Sequence, residues 1–310
     1  MARLRSGVSR HVRDLHGRRP NTHRLSFAEG RVPGYTAHSM FTMDTTLPRS
    51  AFSARDAARA GDVWRLLQEV AVEASTEGGW PPMRYRQERN AFVVRRMIVR
   101  HHGEATYGER LQASSWISRV RREMFSTREV RLRSSRGVIA KATQEWVHVS
   151  ESLEPVRAPR SLLDAFPAES SPEEDEPPSM PVLAHPVAPR APHVFSFRAW
   201  WTWMDPLDHV NHPAYVDFCD EALATAAHDA GISPLSIAPI AEDLTFRSGV
   251  VAGEDVRVES VASGLTSEGA IFITHRIFAG DRLCVTGTTI RCLIDAPDAT
   301  PVVRALEGRA

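Results

Sequence analysis

Apolar residues fall along the chain in two blocks that share one order of elements. In the first block, residues 40–47 alternate as a strand, and Val63, Leu66, Leu67, Val70, Ala71 and Ala74 then recur at helical spacing. The helix is expected over residues 63–76, capped by Asp62 and stopped by Gly78-Gly79. Four runs with strand character follow at 91–99, 110–120, 124–132 and 138–149, separated by turn signals such as Gly103, Gly108 and Ser134-Ser135-Arg136-Gly137. The second block repeats the order: a strand at 193–200, a helix at 213–230 with Pro213 at its first position and Gly231 past its end, then strands at 239–247, 256–263, 270–278 and 283–294. Gly108-Glu109-Arg110-Leu111 aligns with Gly253-Glu254-Asp255-Val256, and Glu69 with Glu221. Two copies of one strand, helix and meander unit imply a duplication and an α+β fold class.

Composition adds boundaries. Residues 1–37 are rich in arginine and poor in apolar clusters, so they are expected to be a disordered basic extension. Between the blocks, Glu169-Ser170-Ser171-Pro172-Glu173-Glu174-Asp175-Glu176-Pro177-Pro178 cannot bury enough apolar surface to fold, and residues 166–192 read as a linker. The domains are therefore expected at 38–165 and 193–296, with a tail at 297–310. The formal net charge is zero across 310 residues, which offers no field to draw in nucleic acid. No apolar run reaches the roughly 18 residues that a membrane span needs, and the Arg-rich start is not followed by the apolar core of a secretory signal. Three cysteines, Cys219, Cys284 and Cys292, lack metal-ligand spacing and fit a reducing, cytoplasmic setting. No motif calls for a cofactor or a metal.

The candidate chemistry lies in the loop before the second helix, Trp203-Met204-Asp205-Pro206-Leu207-Asp208-His209-Val210-Asn211-His212-Pro213-Ala214-Tyr215. It places a carboxylate, an imidazole and a carboxamide just ahead of a helix N-terminus. Each residue has a plainer reading: Asp205 before Pro206 starts a turn, His209 packs in a core, and Asn211 or His212 caps the helix. Trp200, Trp201 and Trp203 pack together by default. His209 and His212 with Asp205 and Asp208 lack the i, i+4 pairing of a zinc helix.

This loop, an Asp followed by His-Val-Asn and a Tyr entering a helix, resembles that of hotdog-fold thioesterases of the 4-hydroxybenzoyl-CoA type. Two such units in one chain resemble the acyl-ACP thioesterases. In the first block, Arg110-Leu111-Gln112-Ala113-Ser114-Ser115-Trp116 is similar to their strand ending in tryptophan. Glu145-Trp146-Val147-His148-Val149 and Pro155-Val156-Arg157-Ala158-Pro159 resemble their last strand and its exit. The resemblance implies two tandem hotdog units, each a long helix wrapped by an antiparallel sheet. They would pair within a monomer or within a homodimer and act on an acyl-ACP or acyl-CoA substrate. It implies that Asp205, His209 and Asn211 are catalytic and that Tyr215, His212 and Trp203 meet substrate. Three positions depart from the family: Leu207 and His212 stand where asparagines are usual, and Val250 falls near the plant enzymes' cysteine.

Thioester chemistry suits so small a constellation. A thiol with pKa about 8.5 leaves with little protonation, so hydrolysis needs chiefly a base or nucleophile and an oxyanion donor. Asp205 supplies the first, and backbone N–H groups around Asn211 to Tyr215 are expected to supply the second. Two rivals stay open. One is a hotdog 3-hydroxyacyl hydratase or dehydratase. The other is a non-catalytic acyl-thioester binding protein, since the first block's corresponding loop, Ser53-Ala54-Arg55-Asp56-Ala57-Ala58-Arg59, has no His-Val-Asn.

Overall fold

A computed structural model describes residues 40–169, 175–188, 191–294 and 298–306; the basic extension expected at 1–37 lies outside them. The elements run β1 (Phe41–Thr45), α1 (Ala60–Glu77), α2 (Pro82–Gln87), β2 (Asn90–His101), β3 (Leu111–Arg121), β4 (Phe125–Ser134), β5 (Gly137–Ser150) and α3 (Arg160–Ala165) in the first half. The second half runs β6 (His185–Pro186), β7 (His193–Arg198), α4 (Ala214–Asp229), β8 (Ile237–Phe246), β9 (Asp255–Leu265), β10 (Ile271–Ala279), β11 (Arg282–Leu293) and α5 (Thr300–Ala305). Both meanders and both long helices stand where the apolar periodicity puts them. The aligned glycines Gly108 and Gly253 both take positive φ, 79° and 84°, in the turns that open β3 and β9, a conformation that glycine adopts without strain.

All strands join one antiparallel sheet in the order β1-β3-β4-β5-β2-β8-β11-β10-β9-β6, with β7 also paired to β9. The two meanders meet at the centre, where β2 pairs β8 from Arg96↔Thr245 to Arg100↔Ala241. Alternation along the strands sends Met97, Val99, Val130, Leu132, Ala140 and Ala142 onto Val63, Trp64, Leu67 and Val70 of α1, in a core that continues into Tyr215, Phe218 and Cys219 of α4.

Three local expectations change. Asp62 is not the cap: Arg59 holds that position without a side-chain bond, and Asp62 sits in the first turn, ion-paired to Arg65. The linker is not wholly solvated, because Asp175 is buried against Arg131 and Lys141 on the face of the sheet away from the helices. The expected tail includes α5, which buries Val302, Val303 and Leu306 against Leu223, Ala226 and Ala227.

A polar cluster fastens the two halves inside this core. Fully buried Glu242 of β8 accepts from Trp64 Nε1 of α1 at 3.0 Å, and His101 Nε2 of β2 lies 2.8 Å from the same oxygen. Because a carboxylate only accepts, His101 Nε2 carries the proton. The other oxygen accepts from Arg291 Nη1 of β11, whose Nε donates at 2.9 Å to Asp220 of α4. Arg65 of α1 also bridges to Asp217 of α4, and the helices approach so closely there that a Cβ at Gly61 would overlap the Asp217 carboxylate. Burial pushes the Glu242 carboxyl up, but His101 and Arg291 outweigh it and hold it down at about 2. Its stabilisation is therefore complete above its ordinary value of 4.5 and is lost as pH falls toward 2. Glu242→Gln is expected to cost about 3–5 kcal/mol in urea unfolding at pH 7, because it leaves buried Arg291 undercompensated. An unchanged unfolding midpoint would show that the carboxylate is dispensable.

Candidate functional site

The loop ahead of α4 is a closed hairpin. Met204 and Val210 form an antiparallel bridge, Asp205 N–H donates to His209 O at 2.7 Å, and Asp208 N–H donates to Asp205 O at 3.0 Å. Asp at the first and Pro at the second position suit such a turn, and Asp208 takes the left-handed φ of 61° that Asp tolerates. Asp205 Oδ1 accepts Leu207 N–H at 2.8 Å and lies 3.5 Å from His209 N. The turn-starting reading and the chemical reading of Asp205 are thus compatible: Oδ1 builds the turn, and Oδ2 has no protein hydrogen bond among the described residues.

The segment before β9 holds this hairpin from behind. Val210 N–H donates to Val250 O at 2.8 Å, and Val250 N–H donates to the Tyr215 hydroxyl at 3.0 Å. The His209 ring lies over Gly249, where a Cβ would overlap it. Asn211 N–H donates to Trp203 O at 2.9 Å, while the Asn211 Oδ1 is buried with no partner among the described residues.

Asp205 and Asn211 open onto a cavity of about 560 Å³ whose walls come mostly from the other half. Trp80, Tyr85, Phe92, Trp146 and Phe166 give it an aromatic lining, and Gln68, Asn90 and Arg128 are among its polar members. Gln68 Oε1 and Asn90 Oδ1, like Asn211 Oδ1, are buried with no partner among the described residues. Sequence reasoning missed this wall, because its polar residues lie more than 70 positions from the loop and carry no motif. Glu69 and Glu221, aligned by the internal repeat, take equivalent places: Glu69 lines this cavity and Glu221 lines a second one, of about 670 Å³. The second cavity receives the motif-free loop with Arg55 and Arg59 against Phe195, Phe197 and Phe218.

The remaining candidates separate from Asp205. Trp203 lines the second cavity and stacks on Trp200 with ring centroids 4.9 Å apart. Tyr215 is buried among Phe218 and Phe246, and burial raises its phenol further above its usual range. His212 lies among Trp64, Trp146 and Phe246, and burial lowers its imidazole to about 3. Neither residue lines either cavity. Cys219 is buried, with its thiol pushed up by burial. The expected oxyanion donors are largely engaged: the N–H groups of Ala214, Tyr215 and Val216 donate to Asn211 O, His212 O and Pro213 O. Local turn bonds precede the helix and consume those groups. Among the described residues, no group of three His, Cys, Asp or Glu side chains is placed to hold a metal ion, and no helix is long and apolar enough to cross a membrane.

An antiparallel sheet carrying two long helices on one face, entered by a hairpin from one half over a cavity in the other, defines an α+β fold with known counterparts. A Lactobacillus plantarum protein described as an oleoyl thioesterase superposes with a TM-score of 0.69 at 16% identity, covering 84% of this chain and 99% of that one. A 12:0-ACP thioesterase from Umbellularia californica superposes with a TM-score of 0.66 at 16% identity, covering 82% and 94%. An acyl-ACP thioesterase from Bacteroides thetaiotaomicron gives 0.63 at 14% identity, covering 82% and 98%. The chain shares the fold of these thioesterases, two of them described as acting on acyl-ACP, as the loop motif leads one to expect. The sequence matches no protein-family model and no curated protein.

The lowered imidazole of His212 generates a direct test. Its ring proton shifts are expected to stay flat from pH 8 to pH 5 in an NMR titration of the folded protein. A midpoint near its ordinary value of 6.5 would mean that water reaches the ring.

Proposed function

We propose that this chain hydrolyses acyl thioesters with Asp205 as general base. The observation that carries this reading is the pairing of a carboxylate oxygen that has no protein hydrogen bond among the described residues with an apolar cavity large enough for an acyl group. The shared fold with acyl-ACP thioesterases supports it. Water bound at Asp205 Oδ2 attacks the thioester carbonyl carbon while its proton passes to the carboxylate. The tetrahedral intermediate then expels the thiolate, the C–S bond breaks, and the proton moves from Asp205 to sulfur, giving a carboxylic acid and a thiol.

Asn211 is assigned to orient this water or the carbonyl, since its carboxamide oxygen is buried with no partner among the described residues. Unpartnered buried oxygens cost about 1–3 kcal/mol each, and the attacking water or a carrier amide N–H relieves that cost at Gln68, Asn90 and Asn211. His209 is assigned to position the hairpin over Gly249. His212, Tyr215 and Trp203 hold the loop and helix rather than touch substrate, a reading that their packing away from the Asp205 cavity supports.

The same account assigns residues 38–165 and 193–296 to two hotdog units. The first shapes the acyl site and the second carries the reacting loop, so one chain completes one site. The carrier is either CoA or an acyl carrier protein. In a thiol-release assay over acyl-CoA and acyl-ACP substrates, Asp205→Asn is expected to lower kcat by about 10²–10⁴-fold with little change in melting temperature. Turnover equal to the unsubstituted protein would remove Asp205 from the chemistry.

A further inference from the structure

The charged residues lining the Asp205 cavity differ sharply in exposure. Glu69, Arg86 and Glu123 are exposed and Asp205 is half-buried, whereas Arg128 is 7% exposed. Arg128 sits on β4 and points to the helix side of the sheet, in phase with Val130 and Leu132. Its Nη1 donates to Ser115 Oγ at 2.9 Å, and no other hydrogen bond or ion pair of this guanidinium is found among the described residues. The two acid groups whose charge acts on it, Tyr85 and Glu169, do not pair with it. Tyr85 is a phenol raised by burial and hydrogen-bonded to Ser75 Oγ at 2.9 Å, and Glu169 acts through space without forming an ion pair. The ring of Phe166 lies 5.9 Å from the guanidinium carbon.

The other buried arginines of this protein show what usual compensation looks like. Arg131 is paired with Glu129 and Asp175, and Arg291 with Glu242 and Asp220. Arg128 has the burial without the carboxylate. Burial lowers its pKa only to about 10, so it remains a cation at neutral pH. A buried cation is tolerated when an anion with matched donors and acceptors meets it, and a carboxylate matches the guanidinium fork.

We propose that Arg128 selects acyl groups that carry a carboxylate at the end away from the thioester, so that the substrates are monothioesters of dicarboxylic acids. This rests on the thioesterase reading of the same cavity and adds a specificity to it. The distal carboxylate enters past Trp146 and Phe92, pairs with the Arg128 donors not used by Ser115, and leaves the thioester at Asp205. A plain acyl chain of equal length would leave the guanidinium uncompensated and strip it of water.

The test compares octanoyl-CoA with the CoA monothioester of octanedioic acid in two readouts. In thiol release, the unsubstituted protein is expected to favour the dicarboxylic thioester by at least about tenfold in kcat/KM. Arg128→Met is expected to reverse that preference by gaining on the plain chain and losing on the charged one, with Arg128→Lys intermediate. In calorimetry on the Asp205→Asn background, the same preference and its loss on adding Arg128→Met are expected in Kd. Equal or opposite preference in the unsubstituted protein, or an Arg128→Met effect of the same factor on both thioesters, overturns the proposal. Absence of thiol release from either compound defeats the hydrolase reading alone, and the calorimetric preference then decides the role of Arg128.

Discussion

Glu242 is the interaction on which the rest depends. A carboxylate with no access to solvent sits at the seam between the two halves of the sheet and is satisfied from three directions: the indole of α1, the imidazole of β2 and the guanidinium of β11. Through Arg291 the cluster reaches Asp220 of α4, so both long helices and both central strands answer to one charge. Hydrophobic burial supplies most of the driving force for such a core, but it is non-directional and would allow the halves to slide. The buried polar cluster, together with the β2–β8 pairing, fixes one register.

That register matters because the cavity and the loop that serves it come from different halves. The hairpin of residues 204–210 is braced by the segment before β9 of its own half, through Val250 and Tyr215, yet it opens onto walls from α1, α2, β2, β4 and β5, with aromatic rings from the last four. The second cavity receives the loop of Ser53 to Arg59, which lacks the run of carboxylate, imidazole and carboxamide.

Much of the fold is legible in the sequence. The long strands and both long helices follow from period-2 and period-3.6 apolar spacing, which a core on one face enforces. The short helices α2, α3 and α5 and the two-residue β6 are not legible, since six residues or fewer carry too little periodicity. Asp175 was hidden for a different reason: an acid and proline composition describes the linker itself, while the burial of Asp175 is demanded by Arg131 of a strand more than 40 residues away. At the site, Asp205 and Asn211 are readable because they sit in one short motif. Gln68, Asn90 and Arg128 come from a helix and two strands, and only tertiary packing brings them to the same cavity. The engaged N–H groups ahead of α4 are likewise invisible until the turn bonds are seen.

The central claim is that the acyl group lies in the cavity of the first half while the loop of the second half acts on its thioester. A crystal structure with a non-hydrolysable thioether analogue of an acyl-CoA tests it most directly. The acyl chain is expected among Trp80, Phe92 and Phe166, with the sulfur end within hydrogen-bond or one-water reach of Asp205. An acyl chain seated instead among Phe195, Phe197 and Leu235, with Asp205 unoccupied, would contradict it.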